Sequence, residues 1–189
     1  MSRFFLFNKF ITNNKKLEID MYQFPPLLSQ LHQLEFDYEN GNGIDFEPYE
    51  NFLSEQETND WLKSWTGNHE VDATHFLVFG QDGTGGYAAF WLVNKDKEIL
   101  EQPIIFLGSE GEIGVVAKKF DDYLWLLAQT HGPYEAISYP ENIKKINPTF
   151  LDFAKKYSKS EHKTVLEIIK DAKNAYPDFE TWIESLIHY

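Results

Sequence analysis

Histidines are the first side chains of this sequence that could bind a metal ion or transfer protons. His69 and Glu70 begin a pattern typical of helical zinc sites in proteases, but that pattern needs a second histidine at position 73, which is Ala73. The other histidines have no partner at ligand spacing, and the chain has no cysteine. The sequence therefore predicts no metal site, and we expect no cofactor.

Serine and paired carboxylates offer a different chemistry, hydrolysis. Ser109 lies in Gly108-Ser109-Glu110-Gly111, which lacks the Gly-x-Ser-x-Gly elbow of serine hydrolases, so a turn explains it more simply. A pair such as Glu35 and Asp37 suits glycoside hydrolysis only if its carboxyl groups lie ~5–9 Å apart. Carboxylates are abundant in this chain. We therefore predict a non-enzymatic protein with no catalytic residue, and keep a hydrolase as the weakest of three hypotheses.

A glycine-rich segment, Gly80-Gln81-Asp82-Gly83-Thr84-Gly85-Gly86, could expose backbone N–H groups to a phosphate. A phosphate loop needs a helix after it, whereas Gly86 leads into an apolar strand pattern, and Asp82 would repel a phosphate. We predict a β-hairpin whose glycines supply positive φ. The predicted turn glycines are Gly80, Gly83, Gly85, Gly86 and Gly111.

The charge of the chain is strongly uneven. The net charge is -13, and between residues 17 and 94 Lys63 is the one basic residue against 14 Asp and Glu. Such a surface repels nucleic acids and anionic membranes and attracts basic proteins, although ordinary solubility also explains it. An apolar content of 42% excludes global disorder, and no apolar run approaches the ~20 residues of a membrane span.

Acidic and aromatic residues alternate in a loop-rich stretch between residues 38 and 52. Aromatic rings supply contact area and carboxylates steer a basic partner, unless the rings pack onto the sheet instead. The aromatic residues of this stretch are Tyr38, Phe46, Tyr49 and Phe52. The predicted partner-binding residues are Glu39, Asp45, Glu47, Tyr49 and Glu50 here, with Asp82, Glu110 and Glu112 at turns that we expect at one end of the sheet.

The elements that position these residues follow from periodicity and end signals. Helices are predicted to begin at Pro25-Pro26, at the Ser54–Glu57 capping box, near residue 120 and at Ser160, with a last helix after Pro177. The helix over 120–129 is expected to bury Phe120, Leu124 and Leu127 and to end at Gly132-Pro133, followed by an irregular stretch through Pro148. The predicted strands are 76–79, 87–93, 103–107 and 113–117. Their short connections predict an antiparallel meander in an α+β fold, with 87–93 central and covered on both faces.

The run from Phe79 to Ala128 resembles the SUKH superfamily, named after the fungal Smi and Knr cell-wall regulators and their bacterial and viral relatives. The resemblance rests on Phe79-Gly80, Asp82-Gly83, Gly86-Tyr87-Ala88-Ala89-Phe90, Pro103-Ile104-Ile105, Val115-Val116-Ala117 and Phe120-Asp121-Asp122-Tyr123-Leu124, with Asp45-Phe46-Glu47-Pro48-Tyr49 and Trp61-Leu62 upstream. It covers roughly residues 21–135. We expect 136–189 to be a helical extension packed on that core. We interpret residues 1–20 as an N-terminal extension that is appended or precedes the natural start, since Met21 begins the first strongly patterned segment.

The resemblance implies a non-enzymatic protein-binding domain. Bacterial relatives resemble cytoplasmic immunity proteins that neutralise toxins, often nucleases, and fungal relatives resemble adaptors in signalling and cell-wall regulation. The acidic bias favours the first role, because nucleases are commonly basic. We therefore predict an immunity protein with a basic toxin domain as its partner, and keep a regulatory adaptor as the alternative.

Overall fold

The strands pair with their neighbours along the chain because the connections between them are too short for helical crossovers. The computed structural model describes residues 23–188 and contains an antiparallel sheet in the order β1-β2-β3-β4-β5. The strands are β1 Glu47–Pro48, β2 Phe76–Gln81, β3 Tyr87–Trp91, β4 Ile104–Leu107 and β5 Ile113–Ala117. The predicted α+β meander is confirmed. The extension predicted for residues 1–20 lies outside the described part of the chain.

Seven α-helices are seen in residues 23–188, joined by loops and two 3-10 turns, Glu39–Gly41 and Ile99–Glu101. The helices are α1 Pro26–Leu31, α2 Glu55–Thr66, α3 Phe120–Ala128, α4 Pro133–Ser138, α5 Pro148–Tyr157, α6 Val165–Ala175 and α7 Phe179–Glu184. The predicted capping box at Ser54 and Glu57 starts α2, and Gly67, at φ 65°, ends it. Within residues 23–188, none of the helices has both the length and the apolar composition needed to cross a bilayer.

The central strand β3 separates two hydrophobic clusters. Ala88 and Phe90 face a cluster that includes residues of α1, α3, α5 and α6, and we call this side of the sheet the α3 face. Ala89 faces a second cluster with Leu62 of α2 and Phe179 of α7, which we call the α2 face. Both faces of β3 are therefore covered, as predicted. Residues of α5, α6 and α7 belong to these clusters, and the domain boundary near residue 135 stays a prediction.

The helix α3 is more deeply buried than its sequence pattern predicted. All nine residues Phe120–Ala128 are buried, because α5, α6 and β5 surround the helix. The predicted stop at Gly132-Pro133 is wrong. The helix ends at Ala128, Thr130 takes a positive φ of 60°, and Pro133 occupies the first turn of α4.

Two further corrections concern the C-terminal part. The stretch through Pro148 is not irregular throughout, because it holds α4 and the start of α5; Asn147 caps α5 by accepting from Thr149 N and Phe150 N. The start of α6 is not capped by Ser160. The cap is Thr164, which forms a capping box with Glu167.

Candidate protein-binding surface

The two glycine turns lie side by side at one end of the sheet. Gln81 pairs with Tyr87 and Leu107 pairs with Ile113, so the β2–β3 and β4–β5 turns lie at the same end of the sheet. Ser109 Oγ donates a hydrogen bond of 2.8 Å to Thr84 Oγ1 across them. We call this end of the sheet the turn end, and it comprises residues 82–86 and 108–112 together with Asp45 and Glu47.

The segment leading into β1 brings its carboxylates to the turn end. Asp45 Oδ1 accepts a 2.8 Å hydrogen bond from Gly83 N, and Glu47 Oε2 accepts one of 2.8 Å from Gln81 Nε2. Tyr49 OH donates to Gln81 Oε1 at 2.7 Å. Three of the predicted partner-binding residues are thus held against the β2–β3 hairpin, 32 to 38 positions away in the chain.

The predicted carboxylates differ in how exposed they are to a partner. Glu47 and Glu110 are exposed, Asp45 and Glu112 are half-buried, and Glu112 lies directly over Gly108. Glu39 and Glu50 are also exposed, but among residues 23–188 no side-chain hydrogen bond or ion pair joins them to the turn end. The structure therefore brings together the acids of β1 and of the β4–β5 turn, and not those of the flanking loops.

Asp82 is not available as a surface contact. Its residue is 2% exposed, and its Oδ1 accepts hydrogen bonds from Thr84 N, Thr84 Oγ1 and Gly86 N at 2.8–2.9 Å. Oδ1 is thus held by the backbone and by the Thr84 hydroxyl of its own turn, and the buried Oδ2 has no hydrogen-bond partner among the described residues. The prediction of Asp82 as a partner contact is not supported by its burial, and its role is to shape the hairpin.

Positive φ explains only part of the glycine pattern. Of the five predicted turn glycines, Gly85 (φ 91°) and Gly111 (φ 98°) have that geometry. The others are needed for close approach. Gly80 lies inside β2, where a Cβ atom would come within 2.1 Å of the Phe46 ring, and a Cβ atom on Gly86 would lie 2.8 Å from Gly108 Cα.

A buried carboxylate that the sequence did not indicate fixes the position of Asp45. Glu135 of α4 is 5% exposed; its Oε1 accepts from Asp45 N at 2.9 Å and its Oε2 from Gly132 N at 3.0 Å. Lys144 Nζ lies 3.3 Å from Glu135 Oε1 and donates to Gly43 O at 2.6 Å. The signal for this role was a glutamate three residues after Gly132, where it can accept from a helix start.

The alternating aromatic residues separate into core and surface. Phe46 is 6% exposed and Phe52 packs against the α3-face cluster, so the alternative explanation, packing onto the sheet, holds for both. Tyr38 is 56% exposed. Tyr49 is half-buried on the α2 face.

A second aromatic group lies beside the turn end. Trp61 stacks on Tyr87 with ring centroids 4.4 Å apart and on Trp65 at 5.8 Å, and all three residues remain partly exposed. Trp65 Nε1 donates to Gly108 O at 2.8 Å, which ties α2 to the β4–β5 turn. We call Trp65, Trp61 and Tyr87 the aromatic row. Trp61 and Trp65 are four residues apart on α2, which puts them on one face of the helix, but this spacing does not reveal how deeply they are buried.

Two tyrosines of this region have raised pKa values, mainly through burial or hydrogen bonding and in smaller part through nearby carboxylates. Burial, followed by the nearby Tyr87 and Glu47, raises the pKa of Tyr49. A hydrogen bond to Tyr139 is the largest of the causes that raise the pKa of Tyr134 to about 12, and Glu112 adds to it. Negative charge nearby disfavours a phenolate in each case, as it would favour a bound cation.

Metal chemistry finds no support in the described residues. Within 23–188, no group of three or more His, Asp or Glu side chains is arranged to hold an ion.

In comparisons with models of protein families, with curated proteins and with solved structures, no match to the chain was found.

Proposed function

We propose that this protein acts in the cytoplasm as a non-enzymatic immunity protein that neutralises a basic, nuclease-type toxin by binding it through the turn end. The observation that supports this proposal is the gathering of carboxylates from separate segments at one edge, held by Asp45 Oδ1–Gly83 N and Glu47 Oε2–Gln81 Nε2 hydrogen bonds. A nuclease needs a basic surface to bind phosphates. A carboxylate surface can occupy it and speed association.

Rigidity adds to the argument for binding. The turn end is supported by paired strands and by the buried Glu135, so its carboxylates are already held in position before a partner binds. Binding then loses less conformational entropy than it would with a mobile acidic loop. Lys144, which contacts the Glu135 that holds Asp45, is only 12% exposed at its side chain, and its charge is paired with that of Glu135.

The test compares two charge reversals of equal size at opposite ends of the sheet. The first variant carries Glu47→Lys and Glu110→Lys at the turn end, both exposed. The control carries Asp96→Lys and Glu98→Lys, also exposed, in the connection between β3 and β4 at the other end. Both raise the net charge by the same amount, so a general electrostatic effect acts equally on both.

The ligand for this test is the basic toxin domain that the proposal predicts to be encoded beside the gene, and binding is measured by calorimetry at low and high salt. We expect the turn-end variant to lose affinity at least about tenfold and to show a weaker salt dependence, while the control changes less than about threefold. Equal losses in the two variants would reject the turn end as the binding surface. Binding only to an endogenous, non-toxin protein would favour the regulatory adaptor, and turnover of a glycoside, ester or phosphate would favour the hydrolase.

A further inference from the structure

We propose that the aromatic row receives an arginine side chain of the basic partner, with its guanidinium group stacked along the rings of Trp61 and Trp65 and its charge met by Glu57 and Glu47. This inference rests on the proposed function and names the chemistry of one contact within it. It concerns the α2 face of the turn end. The acidic surface proposed above gives no role to the partly exposed aromatic rings that lie there.

The geometry of the row suits a flat cationic group. The ring planes of Trp61 and Tyr87 are 27° apart and those of Trp61 and Trp65 are 19° apart, so the three rings form a nearly parallel series. All three residues are partly exposed. Among residues 23–188, Trp61 Nε1 has no hydrogen-bond acceptor, in contrast to Trp65 Nε1, which is held by Gly108 O. A partner can therefore reach the row without breaking an internal bond of Trp61.

Carboxylates flank the row on both sides. Glu57 lies one helical turn before Trp61 on α2 and is exposed; its Oε2 accepts from Ser54 N and Oγ in the capping box, so Oε1 is the oxygen offered to the guanidinium. On the strand side, Glu47 pairs with Gln81 and Gln81 with Tyr87, so all three side chains lie on the α2 face of the sheet. Between residues 17 and 94 the one basic residue is Lys63. Hydrogen bonds from Thr74 are the main cause that lowers the pKa of Asp72, and Lys63 adds a smaller contribution, which places its charge near Asp72.

Arginine fits this arrangement better than lysine. A guanidinium is planar, stacks on aromatic faces and donates two parallel hydrogen bonds to a carboxylate, whereas an ammonium is a compact and strongly hydrated charge. Cation–π attraction is largest for tryptophan and is strengthened where the cation loses water. Two indoles with two carboxylates nearby therefore favour arginine over lysine.

The experiment uses short peptides, so it does not depend on identifying the partner. Acetyl-Gly-Arg-Gly-Arg-Gly-amide is titrated into the ¹⁵N-labelled protein, and the indole N–H resonances of Trp61 and Trp65 are followed. Trp91 and Trp182 serve as internal controls, because they also stack, at 5.4 Å, and are partly exposed on the α2 face, but lie at the other end of β3. We expect saturable shifts at Trp61 and Trp65 that clearly exceed those at the control pair.

Matched peptides and variants complete the test. In the matched peptides, both arginines are replaced by lysine or by glutamate. We expect the lysine peptide to bind about threefold more weakly than the arginine peptide, and the glutamate peptide not to bind. Trp61→Phe should lower the affinity for the arginine peptide about threefold, and Trp182→Phe should leave it unchanged. Equal shifts at all four indoles, unchanged affinity in Trp61→Phe, or shifts that follow protein concentration without peptide would overturn the inference. Should Trp61→Phe bind the basic partner normally while Glu47→Lys with Glu110→Lys does not, the arginine site is wrong and the proposed function stands.

Discussion

The backbone N–H of Gly83 donates a 2.8 Å hydrogen bond to Asp45 Oδ1 and thereby joins the loop before β1 to the tip of the β2–β3 hairpin. Asp45 is also held through its backbone, because its N–H donates a hydrogen bond to the buried Glu135. Asp45 is therefore the point at which α4, the first strand and the hairpin are connected. A partner that contacts the turn end meets a carboxylate whose position is already fixed.

Replacing Asp45 should loosen the hairpin tip. Asp45→Ala removes a charge-assisted hydrogen bond that is only half-buried, so we expect the free energy of unfolding to fall by about 1 kcal/mol and the Gly83 amide to exchange faster. Urea denaturation and hydrogen exchange measure the two effects. Asp96→Ala, in an exposed loop, is the control and should change stability by less than about 0.5 kcal/mol. An unchanged exchange rate at Gly83 would show that the hydrogen bond contributes nothing in solution.

Gly80 should tolerate no side chain while Phe46 lies against it. A Cβ atom at this position would approach the Phe46 ring to 2.1 Å, so Gly80→Ala is expected to lower the free energy of unfolding by about 1–3 kcal/mol. Phe46→Leu removes the ring atoms that clash. In the double variant, the cost of Gly80→Ala should therefore shrink by more than about 1 kcal/mol. Additive costs in this cycle would mean that the backbone, and not the ring, excludes a side chain at Gly80.

Local sequence signals predicted the sheet because each strand pairs with its neighbour in the chain. The bounds 113–117 of β5 were predicted as observed, and those of β2, β3 and β4 differ by one or two residues, whereas the two-residue strand β1 was not predicted. The helices α4 and α5 were missed because Pro133 and Pro148 were interpreted as helix breakers. Both stand in the first turn of a helix, where the missing N–H has no partner to lose.

The candidate surface was only partly predictable for a different reason. Which acids lie in turns can be read from glycine spacing, but whether a turn carboxylate faces solvent depends on local hydrogen bonds, as Asp82 shows. Contacts such as Glu135 to Asp45 join residues 90 positions apart, and no local pattern encodes them. The exposure of Trp61 likewise depends on how α2 lies over the sheet.

The N-cap of α6 is Thr164, whereas the sequence predicted Ser160. Thr164 accepts from Glu167 N while Glu167 accepts from Thr164 N and Oγ1, whereas Ser160 caps no helix. Thr164→Ala should therefore lower the free energy of unfolding by about 1 kcal/mol, and Ser160→Ala should leave it nearly unchanged. Thermal or urea denaturation of the two variants tests this. A larger loss in Ser160→Ala would contradict the assignment of the cap.

His32 should make the folded protein sensitive to acid. Its Nδ1 lies 2.6 Å from Tyr49 O, so Nδ1 carries the proton, and among the described residues the buried Nε2 has no partner. Burial lowers the pKa of His32 from 6.5 to about 4. Because the unfolded chain takes up a proton below about pH 6.5 and the folded protein does not, stability should fall between pH 6.5 and 4.

The measurement is the pH dependence of urea unfolding in the parent and in His32→Asn, whose amide can still donate to Tyr49 O. The histidine accounts for a loss of up to about 2–3 kcal/mol by pH 4, which the variant should lack. Carboxylates titrate in both proteins, so the difference between the two curves isolates His32. Parallel curves from pH 6.5 to 4 would show that the imidazole is protonated in the folded state as readily as in the unfolded chain, in which case its ring has access to water or to an acceptor for Nε2–H.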